Sequence, residues 1–325
     1  SSFLARLMSA MKGAVSQHQD MGGRFAMYDQ FYGFTGRPFQ LIPDPQYYFE
    51  SGSHRKAMSY LGYGLAQGEG MIVITGETGV GKTILIAHLL ETIDPADINA
   101  VSMAIPADGA DDFLILAAEQ FGLKHEGEDQ GDLLRGIEIH LRSQLRAGRR
   151  TLLIVDDAQH LSLSAMEQLL ALSNLRKSGH PLAQIFLLGF PEFRQRLTES
   201  PTLDALQQRI IAAHHLDAME AVEVEPYVFH RLSKAGWNGS PSISPDAFVR
   251  LYAHSGGLPS RLNSLFSRLL LHGALEELPR ITGEHVDHVV RELAEQSGAG
   301  QSSAAHSAAA GESPAMAAAA EYLTL

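Results

Sequence analysis

A glycine-rich loop between a strand pattern and a helix pattern is the feature that most constrains how this chain can fold. Residues Met71–Thr75 (MIVIT) are apolar and β-branched, which is typical of a buried strand in a parallel sheet. They lead directly into Gly76–Thr83 (GETGVGKT), which matches the pattern G-x-x-x-x-G-K-[ST]. A helical periodicity follows over Ile84–Ile93. This order of elements predicts a site for a nucleoside triphosphate.

Each residue type in this loop has a physical reason to bind phosphate. Gly79 and Gly81 let the backbone turn its N–H groups toward phosphate oxygens, and the next helix adds the positive end of its dipole. We expect Lys82 to contact the β- and γ-phosphates of ATP and the Thr83 hydroxyl to bind Mg²⁺. The predicted nucleotide-binding residues are Gly76, Glu77, Thr78, Gly79, Val80, Gly81, Lys82, Thr83 and Ile84.

A second apolar run ends in two carboxylates. Residues Thr151–Asp157 (TLLIVDD) predict a buried strand that places Asp156 and Asp157 at the carboxyl edge of a parallel sheet, beside the phosphate loop. We expect Asp156 to hold Mg²⁺ through water, and Asp157 to orient or deprotonate the attacking water. The alternative for this pair is an acidic cap at the start of a helix.

Strand and helix patterns alternate as far as residue 217, which indicates a doubly wound parallel α/β sheet. The later part of the chain has helical periodicity, so we expect a small α-helical lid. The predicted domains are an N-terminal extension, helical or disordered (1–26), the nucleotide-binding domain with its leading aromatic segment (27–217), the lid (218–296) and a disordered Ala/Ser-rich tail (297–325).

Composition excludes several function classes. The chain has no cysteine, so disulfides, thiolate metal sites and a cysteine nucleophile are excluded. A balance of 25 Lys and Arg against 37 Asp and Glu gives a net charge of −12, which argues against DNA binding by bulk charge. No run approaches the roughly 18 apolar residues of a membrane span. We therefore expect a cytoplasmic protein, for which any association with the inner membrane would come through partners.

Fifteen histidines raise the question of a further metal site. His214 and His215 are adjacent in a predicted strand, so their side chains point to opposite faces and cannot share one ion. His285 and His288 are three residues apart on a predicted helix, but the sequence shows no third ligand. Solvated or partner-facing histidines are the favoured interpretation.

With both domains placed, the sequence resembles the AAA+ ATPases of the ExeA or general secretion pathway protein A group. Within that group it resembles the members linked to exosortase (PEP-CTERM/XrtA) and exopolysaccharide loci. The resemblance rests on the two motifs above and on further segments: MYDQFYGFTGRPFQLIPDPQYYFES (Met27–Ser51), HRKAMSYLGYGL (His54–Leu65), LLGFPEF (Leu187–Phe193), QQRI (Gln207–Ile210), YVFHRLSKAG (Tyr227–Gly236) and SGGLPSRLN (Ser255–Asn263).

The resemblance implies a homo-oligomeric Mg²⁺-dependent ATPase that drives or gates assembly of a protein client at a secretion or polysaccharide-export system. It also implies that Arg209 is an arginine finger acting on a neighbouring subunit, and that Arg261 is a sensor-2 residue at the γ-phosphate. Either guanidinium would stabilise charge on the transferring phosphoryl group; a surface ion pair is the alternative. By analogy, Phe34–Phe39 would line the adenine pocket, with core aromatics as the alternative.

Two departures from the group's pattern concern turnover. The group usually has D-E-A-Q, so Asp157 is one methylene shorter than the usual Glu, a displacement that costs about 10²-fold in rate. It usually has G-Q-P-E where this chain has Phe190, whose ring cannot hydrogen-bond a phosphate or a water. We therefore expect intact ATP binding with slow or assembly-dependent hydrolysis. The group's membrane span and peptidoglycan-binding domain are not expected in the Ala/Ser tail.

Two alternative functions stay open from the sequence. One is a nucleotide-gated binding module with vestigial hydrolysis, suggested by Asp157 and Phe190. The other is a transposition-regulator ATPase of the TnsC/TniB type, which has the same ATPase core and forms filaments on DNA. The charge of −12 and the lack of a basic run weigh against it.

Overall fold

A five-stranded parallel sheet forms the centre of the first domain. The computed structural model describes residues 28–299. The strands are β1 (Met71–Gly76), β2 (Ile98–Ala104), β3 (Arg150–Asp156), β4 (Ala183–Gly189) and β5 (Ile210–Leu216). They lie in the order β2-β3-β4-β1-β5. β1 and β4 are buried along their whole length, as expected for central strands covered on both faces. The predicted doubly wound α/β fold is confirmed.

Helices cover the two faces of this sheet. One layer consists of α1 (Gly52–Gln67) and α2 (Lys82–Thr92). The other consists of α3 (Phe113–Phe121), α4 (Gln130–Arg146), α5 (Leu163–Ser173), α6 (Pro191–Glu199) and the single turn α7 (Asp204–Gln207).

Alternate residues of β1 pack against the two layers. Ile72 and Ile74 belong to the hydrophobic cluster under α1 and α2, whereas Met71 and Val73 belong to the cluster under the other helices. Successive side chains of a strand point to opposite faces of the sheet. The strand that precedes the phosphate loop is therefore packed into both hydrophobic cores.

Four helices follow the sheet and enclose a hydrophobic core of their own. They are α8 (Ala221–Lys234), α9 (Pro245–Ser255), α10 (Pro259–Leu275) and α11 (Gly283–Ala299). Two residues, Ser242–Ile243, pair in parallel with Arg280–Ile281. This short pairing was not predicted, because two-residue strands have no periodicity to detect.

The leading aromatic segment, residues 28–39, packs into the lid rather than against the sheet. Tyr28, Tyr32, Phe34 and Phe39 belong to the hydrophobic cluster of the lid helices. The Tyr32 hydroxyl also donates to the carbonyl of Leu278, beyond α10. The sequence grouped this segment with the nucleotide-binding domain because the two are consecutive, but burial of its rings assigns it to the lid core.

The predicted N-terminal extension lies outside the described residues, as does the predicted tail from residue 300. Residues 297–299 continue the backbone of α11. Over residues 28–299, no helix combines the length and the apolar character needed to cross a lipid bilayer.

Candidate nucleotide site

The phosphate loop joins β1 to α2 through two glycines with left-handed backbones. Gly79 has φ of 80° and Gly81 has φ of 111°, values that side chains rarely allow. Lys82 begins α2, and its Nζ donates to the carbonyls of Gly76 (2.6 Å) and Glu77 (3.1 Å). The loop is therefore closed by its own lysine, with its N–H groups at the start of a helix, where an anion is favoured.

The lysine charge lies close to the two carboxylates at the end of β3. Lys82 is 7% exposed, and burial lowers the pKa of its ammonium group. Asp156, Asp157 and Glu77 oppose this shift through their charges. Because β1 and β3 lie on either side of β4 in one parallel sheet, the structure brings the two predicted motifs together at the same edge.

Asp156 is the last residue of β3, and burial raises the pKa of its carboxyl group. The neighbouring Asp157 raises it further, whereas Lys82 and the Asp157 N–H lower it. A desolvated carboxylate in this position gains from a cation that replaces lost hydration.

Thr83 and Asp156 therefore fit the predicted Mg²⁺ site by the chemistry of their donors. Mg²⁺ binds one or two protein oxygens together with phosphate oxygens and waters, and a threonine hydroxyl with a carboxylate meets that requirement. Thr83 also lies in the lining of the cleft described below.

Asp157 has a left-handed backbone, with φ of 55° and ψ of 37°. This conformation is uncommon for residues other than glycine and clusters at functional sites. The Asp157 Oδ1 accepts a hydrogen bond from Gln159 Nε2 at 3.2 Å. Gln159 Oε1 in turn accepts the backbone N–H of Phe190 at 3.1 Å. Gln159 thus links the end of β3 to the end of β4, a function that the sequence did not assign to it.

Phe190 faces the lysine of the phosphate loop. The Lys82 Nζ lies 4.7 Å from the centroid of the Phe190 ring, within the range of a cation–π interaction. The ring therefore contacts the lysine that the sequence predicts to bind phosphate, and it offers that lysine no hydrogen-bond acceptor oxygen.

A cleft opens between the phosphate loop and the lid. Its walls come from residues 40–44, from α8 and from the first turns of α10. The Ser260 N–H donates to the Gly79 carbonyl at 3.1 Å, so α10 touches the loop directly. The predicted adenine-pocket residues Phe34–Phe39 do not form these walls. Phe39 instead packs against Phe266, with 4.4 Å between ring centroids, because apolar rings are better buried in the lid core.

A buried arginine on α8 forms the lid side of this cleft. Arg231 is 3% exposed and donates to the Pro38 carbonyl and to the Tyr227 hydroxyl. Its guanidinium also lies over the rings of Phe39 and Tyr47. Among the described residues it has no ion pair with a carboxylate. The sequence did not single out Arg231, since burial of a helical arginine depends on tertiary packing.

A buried histidine supports the loop from behind. His54 lies in the first turn of α1, where its Nδ1 is 2.7 Å from the hydroxyl of the capping Ser51. Its Nε2 lies against the loop, since a Cβ added to Gly81 would be only 2.7 Å from that nitrogen. Burial lowers the pKa of His54 to about 4, so the ring is neutral at neutral pH. In the sequence, His54 is distinguished only by its position three residues after Ser51, the serine that caps α1.

Neither of the two arginines predicted to act at the site, Arg209 and Arg261, lines the cleft. Arg209 precedes β5, and its carbonyl accepts the N–H of Met71 at the start of β1. The six residues of β1 place it about 20 Å from the phosphate loop, at the opposite edge of the sheet. Arg261 is exposed on the first turn of α10, next to Ser260, and is not part of the lining of the cleft. Both roles stay predictions.

Known proteins share this arrangement. Residues 65–197 match the family described as the AAA domain. The ORC1 protein of Aeropyrum pernix, in complex with DNA, has a TM-score of 0.60 and 16% identity, over 79% of this chain and 69% of that one. Cdc6p from Pyrobaculum aerophilum has a TM-score of 0.60 and 14% identity, over 81% and 70%. The fold is that of an AAA+ P-loop ATPase. At these identities the two solved structures show the AAA+ fold alone.

A curated relative has a higher sequence identity to this chain than the two solved structures have. General secretion pathway protein A of Aeromonas hydrophila is 37% identical over 250 residues, which is 75% of this chain. The chain spans 44% of the length of that protein. The AAA domain and this similarity together support a nucleotide-binding AAA+ ATPase. The resemblance to the general secretion pathway protein A group is confirmed at this level, and the link to exosortase loci stays a prediction.

Proposed function

We propose that this chain hydrolyses ATP with Mg²⁺ as an oligomer, and that the cycle drives or gates assembly of a secretion or polysaccharide-export system. The observation that carries the proposal is that β1 ends at the phosphate loop with Lys82 while β3, on the other side of β4 in the same parallel sheet, ends at Asp156 and Asp157. This is the arrangement that phosphoryl transfer to water requires.

We infer the following roles for the residues of the site. The loop N–H groups and Lys82 bind the phosphates, and Thr83 and Asp156 would hold Mg²⁺, which neutralises charge on the phosphate oxygens when bound. Asp157 orients the attacking water and accepts its proton, while Gln159 fixes the direction of that carboxylate. Arg209 acts on the site of a neighbouring subunit, since it lies at the opposite edge of its own sheet.

The first experiment is phosphate release from Mg-ATP over a range of protein concentrations, with Lys82→Ala as the blank. We expect specific activity to rise with concentration, because a site without a neighbour's Arg209 is incomplete. Dilute protein that turns over on the order of tens of ATP per second would contradict assembly-dependent hydrolysis.

A second candidate is a nucleotide-gated binding module with vestigial hydrolysis. The contact between Lys82 and the Phe190 ring favours it, because the side chain at this position offers no hydrogen bond to phosphate or water. Intact Mg-ATP binding with no phosphate release above the Lys82→Ala blank at any concentration would support this candidate against the ATPase.

Two similarities support the proposed kind of client protein. One is the similarity to general secretion pathway protein A, and the other is the sequence resemblance to ATPases of that group linked to exopolysaccharide loci. Deletion of the gene in its host, with exported polysaccharide and secreted protein both measured, separates the two clients. DNA as a partner is disfavoured by the net charge of −12. Retention of DNA at moderate salt would reverse that assignment.

A further inference from the structure

Three side chains from two lid helices converge at the end of the lid that is distant from the nucleotide cleft. His272 lies in the last turn of α10, and His288 and Glu292 lie one turn apart on α11. One potential ligand atom from each lies within 4.8 Å of the other two. His272 is twelve residues after Ser260 on α10, which places this cluster about 18 Å from the phosphate loop. It is therefore separate from the Mg²⁺ site proposed above.

We propose that His272, His288 and Glu292 form a binding site for a divalent transition-metal ion, with Zn²⁺ as the best match. Two imidazoles and one carboxylate are a ligand set that binds Zn²⁺ with a fourth position open to water. Bonds of about 2.0–2.1 Å in a tetrahedron separate neighbouring ligand atoms by about 3.4 Å.

The distances in the cluster are close to this requirement. His288 Nε2 lies 3.5 Å from Glu292 Oε1, which already corresponds to one edge of such a tetrahedron. The rings of His272 and His288 are 4.9 Å apart between centroids, at an angle of 47°. Small side-chain rotations bring the third ligand atom into range, because no pair exceeds 4.8 Å.

The charged groups around the cluster suit a cation. A neutral imidazole offers a metal the free lone pair of one ring nitrogen, and His272 and His288 each have such a ring in the cluster. The carboxylate of Glu276 adds negative charge near His272. Arg268, one turn earlier on α10, donates to Gln296 at 3.4 Å, so its guanidinium has another partner.

His285 is a neighbour of the cluster rather than a fourth ligand. Its ring lies 6.2 Å from that of His272 between centroids. Its Nδ1 accepts the N–H of Thr282 at 3.1 Å, so in the neutral ring the proton is on Nε2. The pair that the sequence singled out, His285 and His288, is therefore not the chelating pair.

Such an ion would connect α10 to α11 and add to the stability of the folded lid, because the unfolded chain does not hold these ligands together. α10 is also the helix whose first turn touches the phosphate loop at Gly79. The site would thus fix the orientation of the helix that covers the nucleotide.

The test is titration of the full chain, without a histidine tag and without nucleotide, with Zn²⁺ by calorimetry and with Co²⁺ by visible absorption. The variants are His288→Ala, whose side chain is 46% exposed, and Glu292→Gln, which keeps the shape of the side chain. The matched controls are His180→Ala, an exposed histidine of the first domain, and Glu284→Gln, an exposed glutamate on α11.

We expect one tight equivalent with tetrahedral Co²⁺ absorption, weakened by about tenfold or more in both cluster variants and unchanged in both controls. Zn²⁺ should also raise the thermal unfolding midpoint of the natural chain and of the controls, but not of the cluster variants. The proposal is overturned if no equivalent binds in the micromolar range, or if the cluster variants bind as tightly as the controls.

Discussion

At the scale of single residues, Asp157, the carboxylate that we propose to be catalytic, has a left-handed backbone. Asp157 adopts a left-handed conformation that few side chains tolerate, and Gln159 fixes its carboxylate. Strain of this kind persists where the surrounding contacts hold the residue in place, as the link through Phe190 N–H does here.

The length of this side chain yields the first prediction. Asp157→Glu extends the carboxylate by one methylene toward the attacking water, and we expect the hydrolysis rate to rise by about tenfold to 10²-fold. Asp157→Asn should reduce the rate by at least about 10²-fold, since the amide cannot accept the proton. Steady-state kinetics measure both. Affinity for Mg-ATP serves as the control and should stay constant. A slower Asp157→Glu variant would mean that the shorter carboxylate is already correctly placed.

The buried histidine behind the loop gives a prediction about pH. The pKa of His54 is about 4 in the folded chain and about 6.5 when unfolded. Between these values the unfolded chain binds more protons, so the free energy of unfolding falls as the pH decreases from about 6.5 to about 4. The expected contribution is about 3 kcal/mol over the whole range.

Replacement of the titrating ring measures this contribution. His54→Gln should flatten the pH dependence of denaturant unfolding between about pH 6.5 and pH 4, whatever its effect at neutral pH. His180→Gln, at an exposed site, should leave the slope unchanged. Parallel pH profiles for His54→Gln and the natural chain would show that folding does not lower the pKa of His54.

At the scale of elements, the contact between α10 and the phosphate loop explains why Gly79 is a glycine. A Cβ on Gly79 would lie 1.8 Å from Ser260 Oγ and 2.6 Å from Ser260 Cβ, and φ is +80°. A larger residue at position 79 would therefore destabilise the protein in two separate ways. It would clash with the lid helix, and it would have an unfavourable backbone conformation.

A double-mutant cycle separates the two costs. Gly79→Ala should destabilise the chain by more than the roughly 1–3 kcal/mol expected for the backbone conformation alone. Ser260→Gly in the same chain should recover the part due to the clash. Gly122→Ala measures the backbone cost by itself, because φ there is +71° and no atom lies within 4 Å of the added carbon. If Gly79→Ala and Gly122→Ala lower the free energy of unfolding equally, the lid helix moves away from the added carbon at no cost.

At the scale of the whole molecule, the position of Arg209 has consequences for activity. It lies about 20 Å from its own phosphate loop, beside a second surface cleft that includes Gly70 and Ile211. An arginine at that edge can reach a phosphate site only if the site belongs to another copy of the chain.

Mixing two inactive variants tests this arrangement. Lys82→Ala lacks a working phosphate loop but keeps Arg209, whereas Arg209→Ala keeps the loop and loses the arginine. Each alone should show little phosphate release, and an equimolar mixture should release phosphate well above either one, because one variant completes the site of the other. Arg176→Ala, a nearby arginine in the same surface cleft, is the matched control and should stay active by itself. A mixture no more active than its components would exclude catalysis between subunits.

The sequence by itself determined the parts of this protein that depend on neighbours along the chain. The strand, loop and helix around Gly76–Thr83 were predictable because periodicity and glycine positions are local properties. The order of alternating elements then required a parallel sheet with its functional edge at the phosphate loop, and so it placed Asp156 beside Lys82.

Tertiary structure decided which distant side chains meet. Packing assigned the aromatic segment to the lid core, although the chain continues from it into the first domain. It also joined Gln159 to Phe190 and brought His272 from a separate helix to His288. Such pairs are set by how helices and strands pack against one another. No spacing along the chain encodes them, because their separation in sequence is unrelated to their distance in space.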